Sequence, residues 1–153
     1  MTLADEVRLV EVHKPDELPK NITMEQMAQL FHHKMAPYND TLEDVRRALD
    51  YAFVPGKGQG GFMVLALRGE EMVGAVLFLD SGMGGYIPKH ILLMVVVDPS
   101  LRGQGVGRRL CEHGIALCDG DVKLHVEHDN PARRLYERIG FTSKYLEMRY
   151  KKP

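Results

Sequence analysis

Along the chain, apolar and polar positions alternate or recur in blocks that each carry the period of one element. Val7 to Val12 (VRLVEV) alternates, which predicts a half-buried first strand. Thr23-Met-Glu-Gln26 has the spacing of a capping box, and Met24, Met27, Phe31 and Met35 then recur at helical spacing until Pro37. Thr41 caps a second helix with Leu42, Val45, Leu49 and Ala52 on one face. Pro55 to Gly61 reads as a flexible loop. Phe62 to Arg68 and Met72 to Asp80 read as strands joined by a tight turn at Gly69-Glu70. Ser81 to Lys89 reads as a mobile connection. Seven unbroken apolar residues, Ile91 to Val97, then predict a fully buried strand closed by Asp98-Pro99.

From Val106 the period turns helical again: Val106, Leu110, Gly114, Leu117. Val122 to Val126 alternates as a further strand. Asn130 is placed to cap the last helix, with Pro131 at its first position, where the missing N–H costs nothing. Ala132, Leu135, Tyr136 and Ile139 share a face, Gly140 suits the C-terminal cap, and Phe141 to Tyr150 reads as a closing strand. No repeat, low-complexity tract or second domain interrupts this order, so one domain over 1–153 is expected.

The chemistry concentrates between the buried strand and the helix that follows, at Arg102-Gly103-Gln104-Gly105-Val106-Gly107. Strand, glycine-rich turn and helix together hold phosphate: the first helical amides lack internal partners, and the macrodipole adds positive potential there. A P-loop would need Gly-Lys-Ser/Thr, which is absent. The dinucleotide fingerprint G-x-G-x-x-G fails because its third glycine falls on Arg108. What fits is Arg-x-x-Gly-x-Gly preceded by Val97-x-Pro99.

With those residues, VVVDPSLRGQGVGRRL resembles the coenzyme A pyrophosphate loop of the GNAT superfamily, the acyl-CoA-dependent N-acyltransferases. A second block, Asp129-Asn-Pro-Ala-Arg-Arg-Leu-Tyr-Glu-Arg-Ile-Gly-Phe141, is similar to that family's Ala-x-x-Leu-Tyr-x-x-x-Gly-Phe signature. The resemblance implies an α/β fold. Its mixed sheet would have six to seven strands flanked by about four helices, in the order β-α-α-β-β-β-α-β-α-β, with strands 4 and 5 splayed. A β-bulge commonly produces such a splay. The resemblance also implies transfer of an acetyl group from acetyl-CoA to a primary amine by direct attack on the thioester, with no metal.

Residue by residue, the resemblance assigns the pyrophosphate to Arg102, Gly103, Gln104, Gly105, Val106, Gly107 and Arg108. It assigns the pantetheine arm to the backbone at Val95 and Val97, a cofactor contact to Asn130, and the role of general acid to Tyr136. Two departures stand out. Asp129 occupies the register where many members have asparagine, one residue before Asn130. Strand 4 carries no carboxylate, where many members have a glutamate that drains the amine's proton. Glu127, His128 and His90 are the nearest ionisable residues, each expected to be solvated surface. Tyr38, Asn39 and Asp40 lie on the loop that borders the acceptor site in the family.

Composition narrows the rest. Twenty basic and 21 acidic residues give a net charge of −1, no footprint for nucleic acid or an anionic membrane. No secretory signal or membrane-length apolar run is present, and a cytoplasmic protein is expected. Cys111 and Cys118 lie on one helix, roughly 10 Å apart along its axis, too far for a disulfide, so reduced thiols are expected. The partner expected is a small-molecule or peptide amine; a homodimer, common in that family, stays open. The rival readings are a non-catalytic CoA-binding module, suggested by the missing carboxylate, and a dinucleotide oxidoreductase, which Arg108 opposes.

Overall fold

The computed structural model describes residues 3–38 and 40–153. Five strands form one sheet in chain order: β1 (Val7–Val12), β2 (Gly61–Arg68), β3 (Glu71–Asp80), β4 (His90–Val97) and β5 (Val122–Lys123). The first four are antiparallel neighbours, while β5 runs parallel to β4. Helices α1 (Met24–Lys34) and α2 (Leu42–Phe53) cover one face; α3 (Val106–Leu117) and α4 (Ala132–Ile139) cover the other.

Local signals act as their chemistry dictates. The Thr23 hydroxyl accepts from the Gln26 amide at 3.1 Å, and the Gln26 side chain accepts from the Thr23 amide at 2.7 Å. The Thr41 hydroxyl accepts from the Asp44 amide. Met27 and Phe31 are fully buried in the core cluster where α1 meets α2 and β4, while Met24 and Met35 cover the edge of that cluster. On the opposite face, a Cβ at Gly114 would strike the Phe78 ring, so glycine lets α3 lie directly on β3.

The sheet departs from the alternation of a regular strand in β4. Its register with β3 runs Leu77↔Met94 and then Phe78↔Leu92, leaving Leu93 opposite nothing. Leu93 is a bulge residue, and packing records it. Leu92 and Val95 share the α3 face although they are three residues apart, and Ile91 and Met94 share the α1 face at the same odd spacing. Beyond this point β4 and β5 part. Only His90↔Val122 and Ile91↔Lys123 are paired.

Three expectations are corrected. The sheet has five strands among the described residues, not six to seven. The fifth stops at Lys123 rather than Val126, because β4 beyond the bulge no longer supplies an adjacent edge. Phe141–Tyr150 joins no ladder, so the last strand of the expected order is missing. Its alternation is strand-like, but an alternating segment becomes a strand only beside an edge that takes its hydrogen bonds.

Candidate active site

The glycine-rich turn is built around Leu101, fully buried beneath it. The Asp98 carboxylate accepts from the Ser100 amide at 3.0 Å and the Ser100 hydroxyl at 2.7 Å, which holds its pKa below the usual carboxylate value. The Asp98 amide donates to Val73 O on β3 at 2.7 Å. Gly103 and Gly105 have φ of +77° and +86°, a region that L side chains rarely adopt, and a Cβ at either would meet no protein atom within 4 Å. Gly105 caps α3 with no side-chain hydrogen bond. The first-turn amides, Val106 to Arg108, have no carbonyl partner within the helix.

Positive charge surrounds this turn. Arg102 is exposed, and Arg108 is ion-paired to Glu112 one helical turn on. A cavity of about 520 Å³ opens beside it, lined by Leu9, Gly105, Arg108, Arg109, Glu112 and His113. Val95 and Val97, half-buried, lie on β4 beyond the bulge, where no β5 ladder covers them. The residues present therefore fit an extended anionic cofactor. Unpaired strand backbone leads to an uncapped helix start.

The second motif reaches the same place. A Cβ at Gly107 would lie 3.4 Å from Leu135 Cδ2, so α4 abuts the first turn of α3. The neighbouring Tyr136 is buried, with its ring edge-on to Phe141 at 6.0 Å. Burial pushes its phenol well above the ordinary value, and the charges of Cys111 and Glu127 add to the rise. Asn130 accepts from the Ala132 amide at 2.9 Å through its side chain. It helps to cap α4 as expected, though the helix begins at Ala132 with Pro131 in the capping position. The Tyr38 hydroxyl donates to Asp129 O at 3.1 Å, and a His32 ring nitrogen lies 2.8 Å from Asp40 O. Asn39 lies outside the described residues.

His90 is the largest correction. It is not solvated surface but buried, with Nδ1 3.0 Å from Asp80 Oδ1 and Nε2 2.8 Å from Asp119 Oδ1. Lys89 Nζ holds the other Asp119 oxygen at 2.6 Å, and these two partners depress the Asp119 pKa to about 2. This network sits where β5 joins the sheet. Asp80 and Asp119 were missed because each meets His90 only across the fold; no spacing in the sequence links them. Glu127 and His128 are exposed. Among the described residues no three His, Cys, Asp or Glu side chains gather as metal ligands.

The same architecture occurs in solved structures. A GNAT-family acetyltransferase of Streptococcus pneumoniae superposes with a TM-score of 0.66 at 18% identity, covering 95% of this chain and 98% of its own. An aminoglycoside N-acetyltransferase, AAC(6')-Iy, whose structure was determined in complex with CoA, gives 0.63 at 14% identity, covering 95% and 94%. The molecule has an acetyltransferase fold. Residues 24–141 also match the family model described as the acetyltransferase (GNAT) family, and the chain belongs to that family. Among curated relatives, a mycothiol acetyltransferase of Catenulispora acidiphila is 34% identical over 134 residues, 83% of this chain and 41% of that protein. N-alpha-acetyltransferase 40 of Saccharomyces cerevisiae is 45% identical over 69 residues, 36% of this chain and 24% of that protein. The chain thus spans less than half the length of either. No helix is long and apolar enough to cross a membrane.

Proposed function

We propose that this chain is an N-acetyltransferase that moves an acetyl group from acetyl-CoA to a primary amine by direct attack of the amine on the thioester. The observation that carries this reading is the parting of β4 from β5 after Ile91 and Lys123, next to the uncapped start of α3. In this reading the amides of Gln104 to Arg108 hold the pyrophosphate, with charge from Arg102 and Arg108. The backbone at Val95 and Val97 pairs with the pantetheine arm. An amide placed there polarises the thioester carbonyl, a role worth roughly 3–4 kcal/mol in other enzymes. Asn130, its side chain engaged at the helix start, contributes at the mouth of the cleft.

Tyr136 faces the leaving thiolate. Because burial raises its pKa, it stays protonated throughout the working range, and full proton transfer to a thiolate runs uphill. It serves by donating a hydrogen bond to the developing charge, worth about 1.5–3 kcal/mol. For the base, His90 is occupied by two carboxylates, which leaves Glu127 and His128; of the two, it is the charge of Glu127 that reaches Tyr136. Glu127 takes the amine's proton through water. No cysteine acts as nucleophile: burial pushes Cys111 to about 12 and Cys118 to about 11.

A thiol-release assay with acetyl-CoA tests this against aminoglycosides, amino acids and peptide N-termini. Release above the hydrolysis background for one class supports the reading and names the acceptor. Tight CoA binding with every amine and acyl chain inert would instead support a non-catalytic CoA-binding module, which the carboxylate-free β4 would suit.

A further inference from the structure

Every other apolar side chain of β4 has a layer to pack in. Leu92, Val95 and Val97 join the cluster under α3, and Ile91, Met94 and Val96 join the one under α1. Leu93 belongs to neither. It has no partner on β3, and at 37% it is the one exposed apolar side chain of the strand. A regular strand would put residue 93 on the face of Ile91, under α1; the bulge is what frees it. With α3 over one face, α1 over the other and β3 along one edge, the direction left open is the edge from which β5 has parted.

Leu93 also stands at the closed end of that gap. The last β4–β5 pair is Ile91↔Lys123, two residues before it. That end is pinned. His90, paired with Val122, has Nδ1 3.0 Å from Asp80 Oδ1 and Nε2 2.8 Å from Asp119 Oδ1. Separating the strands further would break these contacts as well as the ladder. Leu93 itself is held between Leu92 and Met94, each 2% exposed, so its backbone has little room to move aside.

We propose that Leu93 is the stop that limits the length of the acyl group carried by the cofactor. The inference rests on the arm pairing with β4 as proposed above, and it follows from the direction in which the cofactor then lies. The pyrophosphate is at the start of α3, beyond the C-terminal end of β4, so the arm passes Val97 before Val95. Continued along the strand at about 3.3 Å per residue, the acyl group reaches Leu93 roughly 6–7 Å further on. An acetyl group ends short of the leucine side chain. A butyryl group, two methylenes longer, runs into it, with the pinned end of the gap behind. The chain is thereby assigned to short acyl donors, with one side chain setting the limit.

Calorimetry of the full chain with CoA, acetyl-CoA and butyryl-CoA tests the proposal in the wild type, Leu93→Ala and Leu93→Phe. Leu93 lies outside both clusters, so both variants are expected to melt cooperatively. The wild type should bind butyryl-CoA at least about tenfold more weakly than acetyl-CoA, and Leu93→Ala should bring the two within about threefold of each other. Leu93→Phe should weaken acetyl-CoA by roughly tenfold through overfilling of the same space. Free CoA has no acyl group and reports on the loop and the arm alone. If CoA binds all three proteins but the wild type takes butyryl-CoA as tightly as acetyl-CoA, the assignment of Leu93 is overturned and the cofactor cleft stands. A ranking of acyl chains that neither variant alters has the same meaning. Failure of CoA to bind any of the three overturns the cleft itself, and the assignment with it.

Discussion

The hydroxyl of Tyr38 donates to the backbone carbonyl of Asp129 at 3.1 Å, tying the α1–α2 connection to the turn before α4. The bond joins residues 91 apart in sequence across the side of the sheet where β4 and β5 have separated. It is exposed, and a bond of this kind contributes about 0.5–1.5 kcal/mol. Tyr38→Phe is therefore expected to lower the melting temperature by no more than a few degrees. If the tie shapes the acceptor side, the same change raises the amine's KM several-fold and leaves the acetyl-CoA KM within twofold. Equal shifts in both KM values would count against that role.

Tyr136→Phe separates catalysis from binding. Loss of one hydrogen bond to a charged group is expected to cut kcat by roughly 10- to 100-fold. CoA affinity by calorimetry should be nearly unchanged, since the ring and its contact with Phe141 remain. Undiminished turnover would remove Tyr136 from the chemistry.

His90→Leu tests the attachment of β5. The change leaves Asp80 and Asp119 facing a side chain that cannot donate, and it releases the only paired stretch between β4 and β5 from its tether. Because both carboxylates retain solvent, the loss is put at about 2 kcal/mol, which lowers the melting temperature by roughly 4–8 °C. CoA should bind more weakly, since the cleft depends on where β5 is held. A variant that melts and binds like the wild type would refute the tether.

The thiols predict an alkaline loss of stability. The Cys111 pKa rises from 9 to about 12 through burial, and that of Cys118 to about 11. Below pH 9 folded and unfolded chains both hold these protons. Above it the unfolded chain releases them first, so stability falls as pH rises through 11 and 12. Cys111 alone accounts for about 2–3 kcal/mol by pH 11, with Cys118 adding less because it is partly exposed. Urea midpoints at pH 8, 9.5 and 11 should decline more steeply for the wild type than for Cys111→Ala. Parallel declines would assign the effect elsewhere, for example to Tyr136 above pH 10.

What the sequence by itself determined was local. A capping box closes within three residues, a glycine turn within six, and the period of a strand or helix within one element. Thr23, Thr41, Gly105, Gly140 and the spans of β1 to β4 were therefore legible in the order of residues alone. The two motif blocks were legible as well, and they pointed to one cleft.

Tertiary structure decided the rest. The bulge at Leu93 arises from register with β3, and an apolar run shows no parity to break. His90 looked like a surface residue because its two carboxylates come from the end of β3 and the loop before β5. The sheet stops after Lys123, and Phe141–Tyr150 stays unpaired, because a strand exists only where a second backbone offers hydrogen bonds. Sequence writes the pattern of a strand. Only the arrangement of the whole chain supplies its neighbour.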